Sequence, residues 1–142
     1  MKKRDIVFAK YNGLCAYTGQ PLESDWQIDH VRSKNNWKYF VAGECAKMQS
    51  YENREKRMKD VNNIDNLLPA LRIVNHYKRA FDLEGFREYL LTFHLRLAKL
   101  PKTTNREKTK ERIIYMNRIA DLFGITVDKP FSGIFYFEQI TE

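Results

Sequence analysis

A chain of 142 residues is long enough for one domain with a buried core, and 43% apolar with 30% charged residues is the balance of a folded protein, not a disordered one. The formal charge of +7, from 25 Lys and Arg against 18 Asp and Glu, favours a polyanionic partner through counterion release. There is no apolar run of the roughly eighteen residues that a membrane helix needs, and no signal-peptide stretch behind the basic start MKKRDIVFAKYNG. Cys15 and Cys45 are too few for a disulfide framework, so the expectation is a cytoplasmic protein with both thiols reduced.

In chain order, residues 4–11 read as a short helix or turn stopped by Asn12-Gly13. Leu14-Cys15-Ala16-Tyr17 leads to a turn at Gly19-Gln20-Pro21. Trp26, Ile28 and His30 then alternate with Gln27, Asp29 and Val31, which is the period of a strand. Residues 14–31 are therefore expected to start the fold as a hairpin-like pair. Residues 32–65 form a long polar insert whose middle, from Ala46 to Asp60, has the composition of an exposed helix. A turn over Asn62–Asn66 returns the chain to the apolar Leu67-Leu68-Pro69, and a helix is expected from about Ala70 to Ala80.

The C-terminal half is more regular. Phe86, Leu90, Phe93, Leu97 and Leu100 fall at helical spacing up to Pro101. Thr104 and Glu107 have capping-box spacing ahead of a second helix with Ile113, Met116, Ala120 and Phe123 on one face, and Gly124 stops it. Phe131 to Phe137 is aromatic and β-branched, so a final short strand is expected.

Of three histidines, His30 and His76 sit among compact polar and basic residues, whereas His94 lies beside an apolar helical stripe and reads as structural. Hydrolysis of a phosphodiester needs a base for the attacking water and a cation to absorb charge on the phosphate. A neutral histidine suits the first task near neutral pH. A carboxylate with an amide oxygen suits a hard cation such as magnesium, which keeps several of its waters. Asp29-His30, Asn66 and Asn75 supply those groups.

Three segments carry a specific resemblance: Gly13-Leu14-Cys15-Ala16-Tyr17-Thr18-Gly19, the Asp29-His30 pair, and NLLPALRIVNHYK from Asn66 to Lys78. Together, in this order and register, they resemble the HNH nucleases, over roughly residues 5–80. The resemblance implies a small ββα-metal unit; joined to the helical pattern read for residues 81–142, the expected fold is α+β, with this unit embedded in a mainly helical single domain with the short C-terminal strand. The resemblance further implies that His30 is the general base, and that Asp29 and Asn75 hold one divalent metal, magnesium with manganese as a substitute. Asn66 would tie down the loop and help orient the histidine. Lys78, three residues past Asn75 on the same helix face, would pair with a phosphate oxygen, with Arg72, His76 and Arg79 as further nucleic-acid contacts.

Two departures from the family stand out. Many relatives clamp this unit with zinc held by two Cys-x-x-Cys pairs, where this chain has Cys15 with Thr18 and Leu71 with Val74. One thiolate cannot hold a structural zinc, so packing is expected in its place. The insert 32–65 also separates the motif halves widely. Asn75 is preferred to His76 as the third motif residue by register. Asp29 and His30, as strand neighbours, point to opposite faces and can serve one phosphate only if the strand ends or twists there.

The implied function is a metal-dependent endonuclease acting on nucleic acid, DNA ahead of RNA, as a monomer or homodimer. The rivals are a nucleic-acid-binding module of the same shape without cleavage, and a protein-interaction domain built on the helical half. The basic stretch Lys102–Arg112 reads equally as a backbone contact or a solvated helix start, and Trp26, Trp37 and Tyr39 read as packing before base stacking.

Overall fold

A computed structural model describes residues 2–31 and 63–140, so the expected insert helix over Ala46–Asp60, together with Trp37, Tyr39 and Cys45, lies outside the described residues. Helix α1 (Lys3–Ala9) ends where Asn12 and Gly13 both take positive φ, as the Asn-Gly pair foretells. Gly13 N–H then donates to the Phe8 carbonyl at 3.0 Å, and a Cβ at this glycine would stand 2.9 Å from the Phe8 ring.

The expected hairpin does not form. Residues 14–22 close into a tight loop, with one bridge between Leu14 and Pro21 and hydrogen bonds from Cys15 N–H to the Gln20 carbonyl and from Gly19 N–H to the Cys15 carbonyl, each 2.8 Å. Strand β1 (Gln27–His30) pairs instead with β2 (Leu67–Ala70), antiparallel, in the register Gln27 with Ala70 through His30 with Leu67. The 14–22 loop joins this two-stranded sheet sideways, through Ala16 N–H to the Pro69 carbonyl at 2.9 Å. Every residue of β2 is buried, the pattern of a strand covered on both faces.

Helix α2 (Arg72–Lys78) follows β2 after a single linking residue, Leu71. The single helix suggested by Phe86 to Leu100 is two, α3 (Leu83–Leu91) and α4 (Phe93–Ala98), broken at Thr92. The apolar spacing survives the break, because Phe86, Leu90, Phe93 and Leu97 are all buried. Asp82 caps α3, accepting from Gly85 N–H at 2.7 Å. Helix α5 (Glu107–Phe123) starts without the expected capping box, because the Thr104 hydroxyl accepts from Arg106 N–H at 3.2 Å within its own turn. Gly124 ends it at φ 67°, and Ile125 N–H reaches back to the Ala120 carbonyl at 2.8 Å.

The final strand is also absent. Gly133 turns the chain at φ 87°, and the segment finishes as helix α6 (Tyr136–Gln139). A long-range hook holds it: Arg87 of α3 grips Glu138 with two bonds of 2.6 and 2.7 Å and donates to the Gly133 carbonyl at 2.5 Å. Phe137 N–H meanwhile donates to the Ala16 carbonyl at 2.8 Å, which brings the C-terminal segment onto the 14–22 loop.

One buried cluster therefore spans the chain, from Cys15 and Tyr17 through Leu71 and Val74 to Phe86, Phe93, Ile119 and Phe135. The Tyr17 ring meets Phe86 at 5.7 Å and Phe135 at 5.2 Å, both edge to face. A smaller cluster, Val7, Trp26 and Leu67, joins α1 to the sheet, and Arg4 covers the Trp26 ring at 3.9 Å. Among the described residues no helix is long and apolar enough to cross a membrane.

Arg87 holds the Glu138 carboxyl below its ordinary value of 4.5, so the pair contributes stability above that value and loses it as pH falls through the folded-state value. Glu138→Gln is expected to lower unfolding free energy by about 1.5–3 kcal/mol at pH 7 and by less near pH 3, below the ordinary value, where the unfolded chain already holds its proton. Urea melts at the two pH values check this.

Candidate functional site

Gln27 and Asp29 lie two apart on β1 and so share a sheet face; Asn75 and Lys78 lie three apart on α2 and share a helix face. Helix α2 lays that face against β1. Asn75 donates from Nδ2 to Gln27 Oε1 at 2.7 Å. Lys78 donates from Nζ to Asp29 Oδ1 at 3.3 Å, lies 3.2 Å from Oδ2, and donates to the His30 carbonyl at 3.0 Å. The Tyr17 hydroxyl donates to Asp29 Oδ2 from the other side. Lys78 is fully enclosed and Asp29 is 5% exposed.

Burial pushes the Asp29 carboxyl above its ordinary range, and the Lys78 ammonium and the Tyr17 hydroxyl pull it back only in part. Burial pushes the Tyr17 phenol well up too, and the neighbouring Asp29 charge adds to it, so Tyr17 remains a donor through the physiological range.

His30 is the last residue of β1, half-buried, which meets the requirement that the strand end at this pair. The segment is held on both sides: Val31 N–H donates to the Asn66 carbonyl at 2.9 Å, while Lys78 holds the carbonyl of His30. Asn66 thus ties the loop through its backbone, at the end of a short 3₁₀ turn (Ile64–Asn66).

Arg72, His76 and Arg79 are exposed. His76 Nε2 lies 3.4 Å from Gln27 Nε2, and Arg72 rims a cleft of about 280 Å³ that it shares with Glu23, Asp25 and Arg118. The role expected of Lys78 is corrected by its position. An ammonium with no exposed surface, directed at Asp29 and the His30 carbonyl, sets the site from beneath and does not meet a phosphate from solvent. Cys15, Leu71 and Val74 pack in one apolar cluster.

Two participants carry no role in the motif reading. Tyr17 lies inside the quoted Gly13–Gly19 segment, but only the fold brings its hydroxyl to Asp29. Gln27 was open to detection, since strand alternation alone puts it on the Asp29 face.

The donors have the chemistry a hard cation takes. An ionised carboxylate has about four acceptor positions; Lys78 and Tyr17 engage three at Asp29, leaving one on Oδ1. Gln27 fixes the Asn75 amide through its nitrogen, and no hydrogen bond to Asn75 Oδ1 is present among the described residues. Among those residues no group of three His, Cys, Asp or Glu side chains forms a metal cage, so a cation here would rest on one carboxylate, one amide oxygen and water. Comparison of the chain with protein-family models, with curated proteins and with solved structures gives no match.

Removing one partner of the buried pair strands the other charge. Lys78→Ala is expected to cost about 3–5 kcal/mol of stability. Tyr17→Phe, which keeps the ring in the core, should cost about 1.5–3 kcal/mol. Equilibrium unfolding in urea measures both, and Lys102→Ala on the exposed stretch should stay within about 0.5 kcal/mol of the parent.

Proposed function

We propose that the chain is a metal-dependent endonuclease of the HNH type, hydrolysing phosphodiester bonds in nucleic acid, DNA ahead of RNA. One observation carries this reading. Helix α2 brings Asn75 and Lys78 onto the face of β1 that holds Asp29, so motif halves separated in sequence by the 32–62 stretch meet beside His30. Two antiparallel strands followed at once by a helix is the element order that the resemblance calls for.

In this reading the imidazole of His30 takes a proton from water, whose oxygen bonds to phosphorus as the bond from phosphorus to the 3′ oxygen breaks. The departing oxygen takes a proton from solvent, leaving a 5′ phosphate and a 3′ hydroxyl. Asp29 and Asn75 would hold one magnesium or manganese ion, which supplies Lewis acidity toward the phosphate. Lys78 is a positioning residue: one ammonium fixes the Asp29 carboxylate and the His30 backbone together. Gln27 plays the same part for the Asn75 amide.

A second reading, a nucleic-acid-binding module without cleavage, is favoured by a different observation. Both Asp29 oxygens already face hydrogen-bond donors, which suits a structural carboxylate as well as a ligand.

Plasmid cleavage separates the two. With magnesium or manganese the purified protein should cut, EDTA should abolish cutting, and His30→Ala should slow it by about 10²–10⁴-fold. Failure to cut any DNA or RNA substrate in either metal would leave the binding module.

A further inference from the structure

A second cleft lies beyond the exposed end of α2, and Asp29 is not part of its lining. It encloses about 710 Å³, within the range of small-ligand sites, between the end of α2, α3 and α5. Its cations are Arg79 and Arg112, with His76 beside them, and its rings include Phe81, Tyr89 and Tyr115. Neither arginine makes an ion pair among the described residues. The carboxylate in the lining, Asp82, accepts from Gly85 N–H at the start of α3, and two arginines stand against this one acid.

The rings divide the work. Arg96 lies 3.9 Å over Tyr89, and Phe81 packs on Tyr89 at 5.3 Å with the planes inclined by 32°. Tyr89 is therefore a backing for Phe81, which leaves 39% of its own surface open. Tyr115, half-buried, stands against Tyr77 at 6.1 Å on the α5 side.

Arg79 adds an independent observation. It sits at φ 54°, ψ −130°, a conformation that glycine adopts freely and a side-chain residue does not. A strained residue persists where the surroundings impose it, and such residues collect at ligand clamps. The strain falls at the one position where the end of α2 delivers a guanidinium to this cleft.

We infer that this cleft binds an unpaired nucleotide of a single-stranded nucleic acid, with the base against Phe81 and the backbone phosphate between Arg79 and Arg112. An open aromatic face takes any base, and guanidinium groups take phosphate in bidentate fashion. A duplex cannot offer a base face, so the cleft selects single strands or frayed ends. The inference rests on the proposed function only in taking nucleic acid as the partner, and it stands whether or not the chain cuts.

The test is binding of a labelled ten-residue oligothymidylate by fluorescence anisotropy in EDTA, so that cleavage plays no part. Expected is tighter binding of this strand than of an abasic strand of equal length and charge, or of a duplex. Phe81→Ala, on an exposed ring, should weaken binding about fivefold to a hundredfold. Arg112→Gln should weaken it about tenfold and lower the salt slope by about 0.7. Arg79→Gly should weaken it similarly while leaving the melting temperature unchanged or raised, which a merely structural Arg79 would not do. Equal binding of the abasic strand, no loss in Phe81→Ala, or equal affinity for an acidic peptide of matched charge would each overturn the inference. Cleavage lost in His30→Ala with this binding intact would show that the two sites are separate.

Discussion

The pairing of Lys78 with Asp29 inside the protein is the constraint on which the rest of the site depends. Removing both ions from water is costly, and the pair is tolerated because most of its remaining hydrogen-bonding capacity is taken up, by the His30 carbonyl on Lys78 and the Tyr17 hydroxyl on Asp29. Those contacts join three pieces of chain, the 14–22 loop, β1 and α2, at one polar node. Strands of four residues in a two-stranded sheet are marginal alone. Helix α2 has seven residues, too few for stability without packing. One ammonium fixes the rotation of α2 against β1, and the same rotation presents Asn75 to Gln27 and leaves His76 in solvent.

What the sequence makes legible here is local. Asn12-Gly13 and Gly124 are backbone positions that need positive φ, and both act as expected. Helical apolar spacing identifies the buried faces of α3, α4 and α5 even where Thr92 breaks the run. The expectations that fail concern partners. Residues 14–17 have the composition of a strand beside 27–30, but the partner of β1 comes from beyond the 32–62 stretch, and period alone cannot name it. Residues 131–137 have strand composition too, yet Gly133 turns the chain and Arg87 holds the turn from α3. Thr104 has capping-box spacing, but its hydroxyl is satisfied one residue early, by Arg106 N–H.

The candidate site divides in the same way. Asp29, His30, Asn75 and Lys78 are legible because motif spacing encodes which faces of β1 and α2 they occupy. Their mutual contacts are not, and so a lysine expected at a phosphate turns out to be buried beneath the site. Tyr17 escapes notice because its ring belongs to the aromatic core and only its hydroxyl reaches the polar node. For the proposed hydrolysis, a buried floor under an exposed rim would hold in place groups that otherwise reorganise during reaction. Helix α2 serves both sides, its inner face on the floor and its exposed end at the aromatic cleft.

The proposed mechanism requires the Asp29–Asn75 face to take a hard divalent cation. Paramagnetic broadening of backbone amide signals by substoichiometric manganese tests it without any assumption about substrate. The account predicts broadening centred on residues 27–30 and 74–78, reversed by excess magnesium and lost in Asn75→Leu, whose side chain offers no oxygen donor. Broadening that is absent from this face, or that persists unchanged in Asn75→Leu, would contradict it.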